Sequence, residues 1–382
     1  MKKIRGIKIQ GLKGFTKQRK VVVLVGGCIA LVLVAMGIYF LFDSTQKDVS
    51  QPTKQQSTVV EPPQPSSESV EFSTVSEIPV HPASGALCKN SDNPRPVAFM
   101  LAADSVARPL SGIAYADIVV EMPVIKGGIT RFMAIFSCEP HDESIALDIG
   151  SIRSSRHDFI PVAASFDAIY AHWGGSKYAL QQINRRVIDN LNGLTNPHNT
   201  YFRKQGILAP HNGFSSYERA QRAANELGYR SQYQGHEYTF VTDSPQAEAD
   251  GSTLRIGYGR SYDVFYAYSS ETNTYTRHRN NKPEIDARDR RSVEAKKVAV
   301  LFTTSRMIDN EYNDVDVEGQ GTLLLFQNGD VIEGSWQKAE TSLNSPILFF
   351  DEDGEEIRFV TGALWIQYVD VGTTIEWEGV QL

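Results

Sequence analysis

One uncharged apolar run, Val21–Phe42, stands near the start of the chain and is followed by a long polar stretch. A helix rises about 1.5 Å per residue, so this run is long enough to cross the roughly 30 Å apolar core of a bilayer. Residues 43–86 are rich in Ser, Thr, Gln, Pro and Glu. Such a segment has too few apolar side chains to offset the entropy lost on ordering. The pattern predicts one transmembrane helix at residues 21–42 and a disordered spacer at residues 43–86.

Between residues 87 and 245, short apolar runs alternate with segments of helical periodicity. Strands are predicted at Val97–Leu101, Ala116–Met122, Thr130–Phe136, Ile145–Ile149 and Ala168–His172. Helices are predicted at Arg156–Ala164, Lys177–Leu191 and Ser215–Leu227. Ser215 is the expected N-cap of the last helix, because Glu218 three residues later completes a capping box. This alternation is typical of an α/β domain, with a mixed sheet and helices packed on it.

Beyond residue 251 the apolar residues recur with the two-residue period of strands, and no helix is predicted. Strands are predicted at Leu254–Tyr258, Tyr262–Tyr268, Tyr275–Arg279, Lys297–Thr303, Gly321–Gln327 and Val331–Trp336. Asn328-Gly329, between the last two, is typical of a tight β-hairpin turn. Residues 252–382 are therefore predicted to form a mainly antiparallel β domain. The polar segment Thr242–Gly251 marks the boundary between the two domains.

The charge distribution orients these regions relative to a membrane. The net charge is −7, and the first 20 residues contribute +8, so the remaining 362 residues carry −15. A basic flank stays in the cytoplasm, which predicts a cytoplasmic segment at residues 1–20, a single-pass anchor and an extracytoplasmic remainder. Two alternatives stay open: a cleaved signal peptide, and a lipoprotein in which Val25-Gly-Gly-Cys28 is a lipobox. The acidic exterior argues against general nucleic-acid binding, which requires a basic surface.

Two cysteines, Cys88 and Cys138, follow the predicted anchor. Cysteines in an oxidising compartment commonly pair, so a disulfide between them is predicted at the entrance of the folded region. The alternative is two buried thiols. Because no C-x-x-C motif is present, neither cysteine is expected to bind a metal or to act as a nucleophile.

Candidate chemistry is concentrated between Asp148 and Asn212. Arg153 and Arg156, with Ser154 between them, follow a predicted strand and lie near the start of a predicted helix. Two cations at the positive end of a helix dipole are unfavourable unless an anion neutralises them, so these residues are expected to bind an anionic ligand. The alternative is an internal ion pair with one of three acidic residues, Asp148, Asp158 and Glu121.

Two further segments are predicted to line the same site. Gly174 and Gly175 lie in a predicted strand-to-helix turn, where backbone N–H groups approach a ligand closely. His172 and His211 are the candidate catalytic proton acceptors, and Asn212 is a ligand-binding candidate. The alternatives are a tight turn for the glycines and a hydrogen-bonded core residue for His172.

Asp117 lies in a predicted buried strand, where a carboxylate without a partner is costly. Its expected partner is either Arg131 on a neighbouring strand or a divalent cation. Asp117 is therefore the candidate metal ligand, while the cofactor stays unknown; Mg²⁺ belongs to the phosphotransferase alternative below. No H-E-x-x-H motif is present, and the scattered histidines do not predict a zinc site.

These segments resemble the YerB-like family of bacterial envelope proteins, whose function is not established and whose members are often lipoproteins. The resemblance extends from Val97 to the end of the chain. It rests on Pro109-Leu-Ser-Gly-Ile113, Ala116-Asp-Ile118, Gly127-Gly-Ile-Thr-Arg131, Ile149–Arg156, Gly174-Gly175, Ala209-Pro-His-Asn212 and Gly321–Trp336.

A more distant resemblance is to the LytR-CpsA-Psr family, whose members transfer glycopolymers from polyprenyl-pyrophosphate carriers to the cell wall. It rests on the order of Ala116-Asp117, Ile152-Arg153 and Tyr170–Leu180 along the chain. This resemblance implies that Asp117 is a metal ligand and that Arg153 and Arg156 clamp a pyrophosphate.

The predicted function is the binding of an anionic or glycan-type envelope ligand in a cleft of arginines, histidines and glycines, because no nucleophile–base signature is present. Two alternatives stay open. One is a metal-dependent phosphotransferase acting on a polyprenyl-pyrophosphate-linked glycopolymer. The other is a non-enzymatic scaffold of the envelope machinery, which would dock through exposed edge strands and aromatic residues such as Tyr262, Tyr266, Tyr268 and Trp336. Most of these aromatic residues are nevertheless expected in the core. The predicted partners are the membrane, through the N-terminal anchor, and an envelope ligand or glycopolymer; the pattern predicts no oligomeric state.

Overall fold

A computed structural model of the chain describes residues 80–88, 92–139 and 148–382. The predicted cytoplasmic segment at residues 1–20, the predicted anchor at residues 21–42 and the predicted spacer as far as residue 79 lie outside the described residues. Within the described ranges, no helix is both long enough and apolar enough to span a membrane.

Strands far outnumber helices in the described chain, and its α-helices are few and short. The α-helices are α1 (Phe159–Ser165), α2 (Lys177–Asn184) and α3 (Tyr217–Glu226). The strands that precede residue 280 are β1 (Val97–Ala102), β2 (Ile118–Pro123), β3 (Thr130–Phe136), β4 (Ile149–Gly150), β5 (Ile169–His172), β6 (Asn190–Asn192), β7 (Phe202–Arg203), β8 (Gly213–Ser215), β9 (Phe240–Val241), β10 (Thr253–Ile256), β11 (Val264–Ser269) and β12 (Thr274–Arg279). The later strands are β13 (Lys282–Pro283), β14 (Glu294–Ala295), β15 (Lys297–Thr303), β16 (Ser305–Ile308), β17 (Tyr312–Val315), β18 (Gly319–Gln327), β19 (Asp330–Lys338), β20 (Leu348–Asp351), β21 (Phe359–Val360), β22 (Leu364–Asp370), β23 (Ile375–Trp377) and β24 (Val380–Gln381).

Ten strands form one central mixed sheet in the order β20-β19-β18-β15-β22-β2-β3-β1-β5-β6. Pairing is parallel where β22 meets β15 and β2, and where β5 meets β1 and β6. Because β2 pairs with β22, strands from both sides of the predicted boundary at Thr242–Gly251 are hydrogen-bonded in one sheet. The division into two domains at this boundary stays a prediction. In the structure, the regions on both sides of it contribute strands to this one sheet.

Both faces of the central sheet are covered, which explains why its inner strands are continuous apolar runs. Every residue of β1 and β3 is buried. Successive side chains of β1 point to opposite faces, so Phe99 and Met100 enter two different cores. The Phe99 core includes α3 and a second sheet, in the order β13-β12-β11-β10-β23-β24 with β14 paired to β12. The Met100 core includes α1 and α2.

The predicted combination of a mixed sheet with helices and a largely β C-terminal region is confirmed. β3 and β15 have both of their predicted bounds. Asn328 and Gly329 form the turn between β18 and β19 with φ values of 58° and 82°, the left-handed backbone that an Asn-Gly hairpin turn requires. In the continuous described segment from residue 148 onward, the last α-helix ends at Glu226, as the absence of helical periodicity after Gly251 predicted.

Two predicted helix limits are wrong. The helix that was predicted to reach Leu191 ends at Asn184, because residues 190–192 form β6 and pair with β5. The N-cap of α3 is Ser216, whose Oγ accepts from the backbone N–H of Arg219 at 3.2 Å. Ser215 instead donates its hydroxyl to the carbonyl of Thr200, at 2.8 Å.

The ordered structure begins before the predicted end of the spacer at residue 86. His81 is fully buried, with Nε2 at 2.8 Å from the carbonyl oxygen of Pro94. Gly85 lies directly against the ring of Phe240. The polar composition of this segment hid its packing, because these contacts come from residues far along the chain. Cys88 and Cys138 form the predicted disulfide immediately after it.

Three of the four aromatic residues named for the docking alternative belong to the core, as was expected for most of them, and Tyr262 is half-buried. Tyr266, Tyr268 and Trp336 are each at most 2% exposed. The indole N–H of Trp336 donates to the carbonyl of Phe302 at 2.9 Å. Alternation along β11 and β19 points these three side chains inward. The scaffold alternative itself stays a prediction.

Candidate functional site

Three arginines converge at the end of β1, and we call Arg131, Arg153 and Arg156 the arginine cluster. Arg131 lies in β3, and its Nη1 donates to the carbonyl of Ser154 at 2.8 Å. The segment that carries Arg153 and Arg156 runs between β1 and the turn after β5. Two backbone hydrogen bonds fix its course. The N–H of Arg153 donates to the carbonyl of Met100 at 2.8 Å, and the N–H of Ser155 donates to the carbonyl of Gly174 at 3.0 Å.

The acidic residues that were the alternative partners of these arginines are engaged elsewhere. Asp148 pairs with Lys204 at 2.9 Å, and Asp158 pairs with His157 at 2.9 Å. Glu121 is held by two buried arginines of β12 at 2.5 and 2.8 Å. The internal ion pair that the sequence left open is therefore absent from the described residues.

The arginine cluster keeps unsatisfied donors. Among the described residues, its one ion pair is a long contact of 3.7 Å between Arg153 Nη2 and Asp104 Oδ2. The Nε atoms of Arg131, Arg153 and Arg156 are all buried, and none of them makes a hydrogen bond. A buried N–H without a partner costs about 1–3 kcal/mol, and more when the group is charged. An acceptor with negative charge would satisfy these donors.

The pKa shifts of these arginines also indicate that the cluster favours a negatively charged ligand. Burial, together with repulsion from Arg156 and Arg153, lowers the pKa of Arg131 to about 9. Burial also lowers the pKa of Arg156, with Arg153 adding to the effect. The Arg156 guanidinium lies 5.4 Å from the ring centroid of Tyr312, a cation–π contact that offsets only part of this cost. The protein therefore holds three mutually repelling cations close together.

His211 borders the arginine cluster, as predicted. Its backbone N–H donates to Leu208 at 2.9 Å, and its Nδ1 is buried without a hydrogen-bond partner. Burial lowers the pKa of His211, and the positive charge of Arg153 lowers it further. A neutral imidazole beside a cationic cluster is suited to donate a hydrogen bond or to accept a proton.

His172 lies away from any open surface and is fully buried at the end of β5. Its Nδ1 is 2.8 Å from the carbonyl oxygen of Gly174, and its Nε2 is 3.3 Å from Asn190 Oδ1. The ring also stacks on Tyr170, with 5.3 Å between ring centroids. Both nitrogens are engaged, so the structure fits the alternative of a hydrogen-bonded core histidine rather than a catalytic group.

The other predicted ligand-binding residues form hydrogen bonds that hold the backbone around the arginine cluster. Gly174 has a φ of 68°, and its N–H donates to Asn192 Oδ1 at 3.2 Å. Gly175 forms a bridge with Ser155. Ser154 Oγ donates to the carbonyl of Trp173 at 3.2 Å. Asn212 Oδ1 accepts from Arg203 at 2.6 Å. These groups fix the backbone around the arginines and offer few free polar atoms.

Asp117 is not brought to the arginine cluster. It precedes β2, where its backbone N–H donates to Ile135, whereas Arg131 pairs with Met122 near the other end of the same strand pair. At about 3.3 Å per residue, the two ends are roughly 17 Å apart. Asp117 Oδ2 accepts from the backbone N–H of Ser137 at 2.6 Å. Arg131 is therefore not the partner of Asp117, and the divalent cation, the other expected partner, stays a prediction.

The buried carboxylate of Asp117 predicts a pH effect on stability. Burial raises its pKa from 3.8 to about 6, against the opposing influence of Ser137 and Lys297. Between pH 4 and 6 the unfolded chain ionises first, so the folded state loses stability as the pH rises through this window, by at most about 3 kcal/mol. Chemical denaturation across this range should show a smaller loss in Asp117→Asn than in the wild type. The exposed control Asp353→Asn should follow the wild type, and equal slopes for all three proteins would contradict the prediction.

Two residues of the site escaped sequence reasoning. Arg131 was considered only as a partner for Asp117, although one arginine in the apolar strand Thr130–Phe136 is itself a signal of a buried functional charge. Asp104 lies two residues after the end of β1 and belongs to no sequence motif. Its approach to Arg153 depends on the register of the sheet, which the sequence does not display.

Comparisons with known proteins agree on one group of relatives. Residues 84–230 match the N-terminal domain, and residues 254–366 the C-terminal domain, of a family described as "Protein of unknown function (DUF3048)". A Bacillus subtilis (strain 168) protein named "Putative lipoprotein YerB" is 31% identical over 293 residues, which is 75% of this chain and 85% of that protein. A crystal structure of the YerB protein from Bacillus subtilis is similar with a TM-score of 0.67 and 30% identity, and it covers 78% of this chain and 99% of that chain.

Proposed function

Because this chain belongs to the YerB-like family defined by the two DUF3048 domains, we propose that it is an envelope protein whose arginine cluster binds an anionic group of a cell-envelope ligand. The name of the Bacillus subtilis relative supports attachment at the outer face of the membrane. The basic flank and apolar run at the start of the chain support the same placement, through a single-pass anchor.

The observation that carries the proposal is the set of buried, unsatisfied guanidinium Nε atoms on Arg131, Arg153 and Arg156. Guanidinium groups present planar donor pairs that match the oxygens of phosphates and carboxylates. Burial strengthens such contacts, because the surroundings screen charge less than water does. His211 adds a neutral imidazole at the rim of the site. The ligand chemistry that fits is a phosphate or carboxylate group of an envelope glycan.

Binding is proposed rather than turnover. The phosphotransferase alternative requires a metal on Asp117 beside the arginines, and Asp117 lies roughly 17 Å along the strands from Arg131. Its proton acceptor would be His172 or His211, and His172 is already hydrogen-bonded on both ring nitrogens. His211 alone has a free nitrogen near the cluster.

Arg153→Ala is expected to weaken anion binding about 10- to 100-fold, since a hydrogen bond to a charged group contributes about 1.5–3 kcal/mol. The melting temperature should stay nearly unchanged, because the substitution also removes repulsion within the cluster. The measurement is a calorimetric titration of the full chain in detergent with inorganic pyrophosphate and, separately, with glucuronate. Preference between the two probes distinguishes phosphate from carboxylate ligands.

Arg222→Ala is the matched control, because Arg222 is a half-exposed arginine of α3. It should bind both probes like the wild type. Failure of the wild type to bind either probe at millimolar concentration would contradict the proposal. A large drop in the melting temperature of Arg153→Ala would instead assign the arginine a structural role.

A further inference from the structure

A second group of side chains converges around the residues that follow Arg156, and we call it the His157 cluster. It consists of His157, Asp158 and Asp314, whose nitrogen and oxygen atoms all lie within 4.8 Å of one another. His157 Nε2 is 2.9 Å from Asp158 Oδ1 and 2.9 Å from Asp314 Oδ1. The first two residues precede α1, and Asp314 lies in β17.

Hydrogen bonding within the protein does not satisfy this group. One ring nitrogen carries at most one proton, yet two carboxylate oxygens approach it equally closely. Asp158 is 3% exposed, and its Oδ2 is buried without a hydrogen-bond partner. His157 Nδ1 is also buried without a partner. No Lys or Arg among the described residues forms an ion pair with Asp158; the basic groups that act on it are His157 and, at longer range, Arg156.

The cluster opens into a cavity of about 510 Å³ that contains further side-chain oxygen atoms of the kind that bind metal ions. Gln182 Oε1 is buried there without a hydrogen-bond partner. Asp316 and Glu318 line the same cavity. Two cations of the described chain oppose these oxygens. Lys338 pairs with Glu318 at 3.4 Å. Arg306, which is 80% exposed, pairs with Asp314 Oδ2 at 2.6 Å, leaving Asp314 Oδ1 directed at His157. Acceptors therefore outnumber donors inside the cavity.

We propose that the His157 cluster binds a divalent transition-metal ion of the Mn²⁺ or Zn²⁺ class, with His157, Asp158 and Asp314 as its ligands. Metal–ligand bonds of about 2.0–2.2 Å at right angles separate neighbouring ligand atoms by about 3 Å, close to the 2.9 Å contacts of this cluster. An imidazole nitrogen favours such ions over Mg²⁺ and Ca²⁺, and the absence of a thiolate among the described cavity residues disfavours softer metals. This site goes beyond the proposed function, since the arginine cluster contributes none of its ligands.

The test is a Mn²⁺ titration of the metal-depleted full chain in detergent, followed by electron paramagnetic resonance, with Zn²⁺ as the competing ion. The wild type should bind one Mn²⁺ per chain, and Zn²⁺ should displace it. His157→Gln and Asp158→Asn should each weaken binding more than about 10-fold, since even loss of a residue that only orients a ligand costs about 10–100-fold.

His236→Gln is the matched control. His236 Nε2 lies 2.7 Å from one carboxylate, that of Glu356, and has no second one beside it. Its variant should bind Mn²⁺ like the wild type, as should Arg153→Ala. If Asp158→Asn does not fold, Asp314→Asn serves in its place, because the Asp314 side chain is 24% exposed. Absence of stoichiometric Mn²⁺ and Zn²⁺ binding by the wild type, or unchanged affinity in a folded ligand variant, overturns the proposal.

Discussion

Glu121→Ala is expected to lower the free energy of unfolding by about 3–5 kcal/mol, the cost of removing one partner from a buried ionic group. Glu121 is fully buried in β2 and accepts hydrogen bonds from Arg277 at 2.5 Å and Arg279 at 2.8 Å. Thr130 Oγ1 donates to the same carboxylate at 2.5 Å. Without Glu121, two buried guanidinium groups would share the single carboxylate of Glu284.

This network joins the two regions that the sequence separates, because β2 belongs to the first and β12 to the second. Urea denaturation of the full chain, followed by tryptophan fluorescence, measures the change. Glu248→Ala is the control, since Glu248 is exposed and lies outside the network. A loss below about 1 kcal/mol for Glu121→Ala would mean that the two arginines find other partners or water.

Removal of the disulfide by Cys88→Ala with Cys138→Ala is expected to lower the free energy of unfolding by about 4 kcal/mol. The bridge closes a loop with a sequence separation of 50, and the chain-entropy relation gives this magnitude for such a loop. The bridge also ties the first described segment, residues 80–88, to the end of β3. Denaturation of the double variant, compared with the wild type before and after treatment with a reductant, measures the effect.

Cys28→Ala is the matched control, because this third cysteine takes no part in the bridge. It should unfold like the wild type in the absence of reductant and lose the same stability when reduced. If reduction leaves the wild type unchanged, the bridge contributes no net stability, and packing of the 80–88 segment alone holds it in place.

The two proposed sites share one short segment of backbone. Arg153 and Arg156 belong to the arginine cluster, and His157 and Asp158, the next two residues, belong to the His157 cluster. Arg156 also contacts Tyr312 of β17, the strand that carries Asp314. The segment is anchored to β1 at Met100 and to the turn after β5. Neighbouring residues thus belong to one cluster with an excess of positive charge and to another with an excess of acceptor oxygens. Independent loss of anion binding and metal binding in the two sets of variants would demonstrate two separate sites.

Strand positions could be predicted from the sequence, because a strand that is buried on both faces of a sheet appears as a continuous apolar run. This explains the agreement at β3 and β15. Helix ends were less accessible. Lys177–Leu191 kept helical spacing throughout, yet its last part pairs with β5, and a partner distant in sequence outweighs local periodicity.

Candidate groups were easier to find than their partners. Arg153, Arg156 and His211 were found as a polar concentration between apolar runs, and they do lie together. Glu121 was proposed as a partner of these arginines, but in the structure it accepts hydrogen bonds from Arg277 and Arg279 instead. No local pattern distinguishes one buried carboxylate from another when several cations compete for it.

The sequence by itself determined the strand-rich mixed fold, the Asn328-Gly329 turn, the pair of cysteines and the cationic segment at Arg153, because each depends on residues that are close in the chain or on composition. The tertiary structure alone decided which charges meet. Asp314 joins His157 across 157 residues, and Arg277 reaches Glu121 across 156. These contacts depend on sheet order and register, which arise from the packing of the whole chain and leave no signal in the spacing of residues along it.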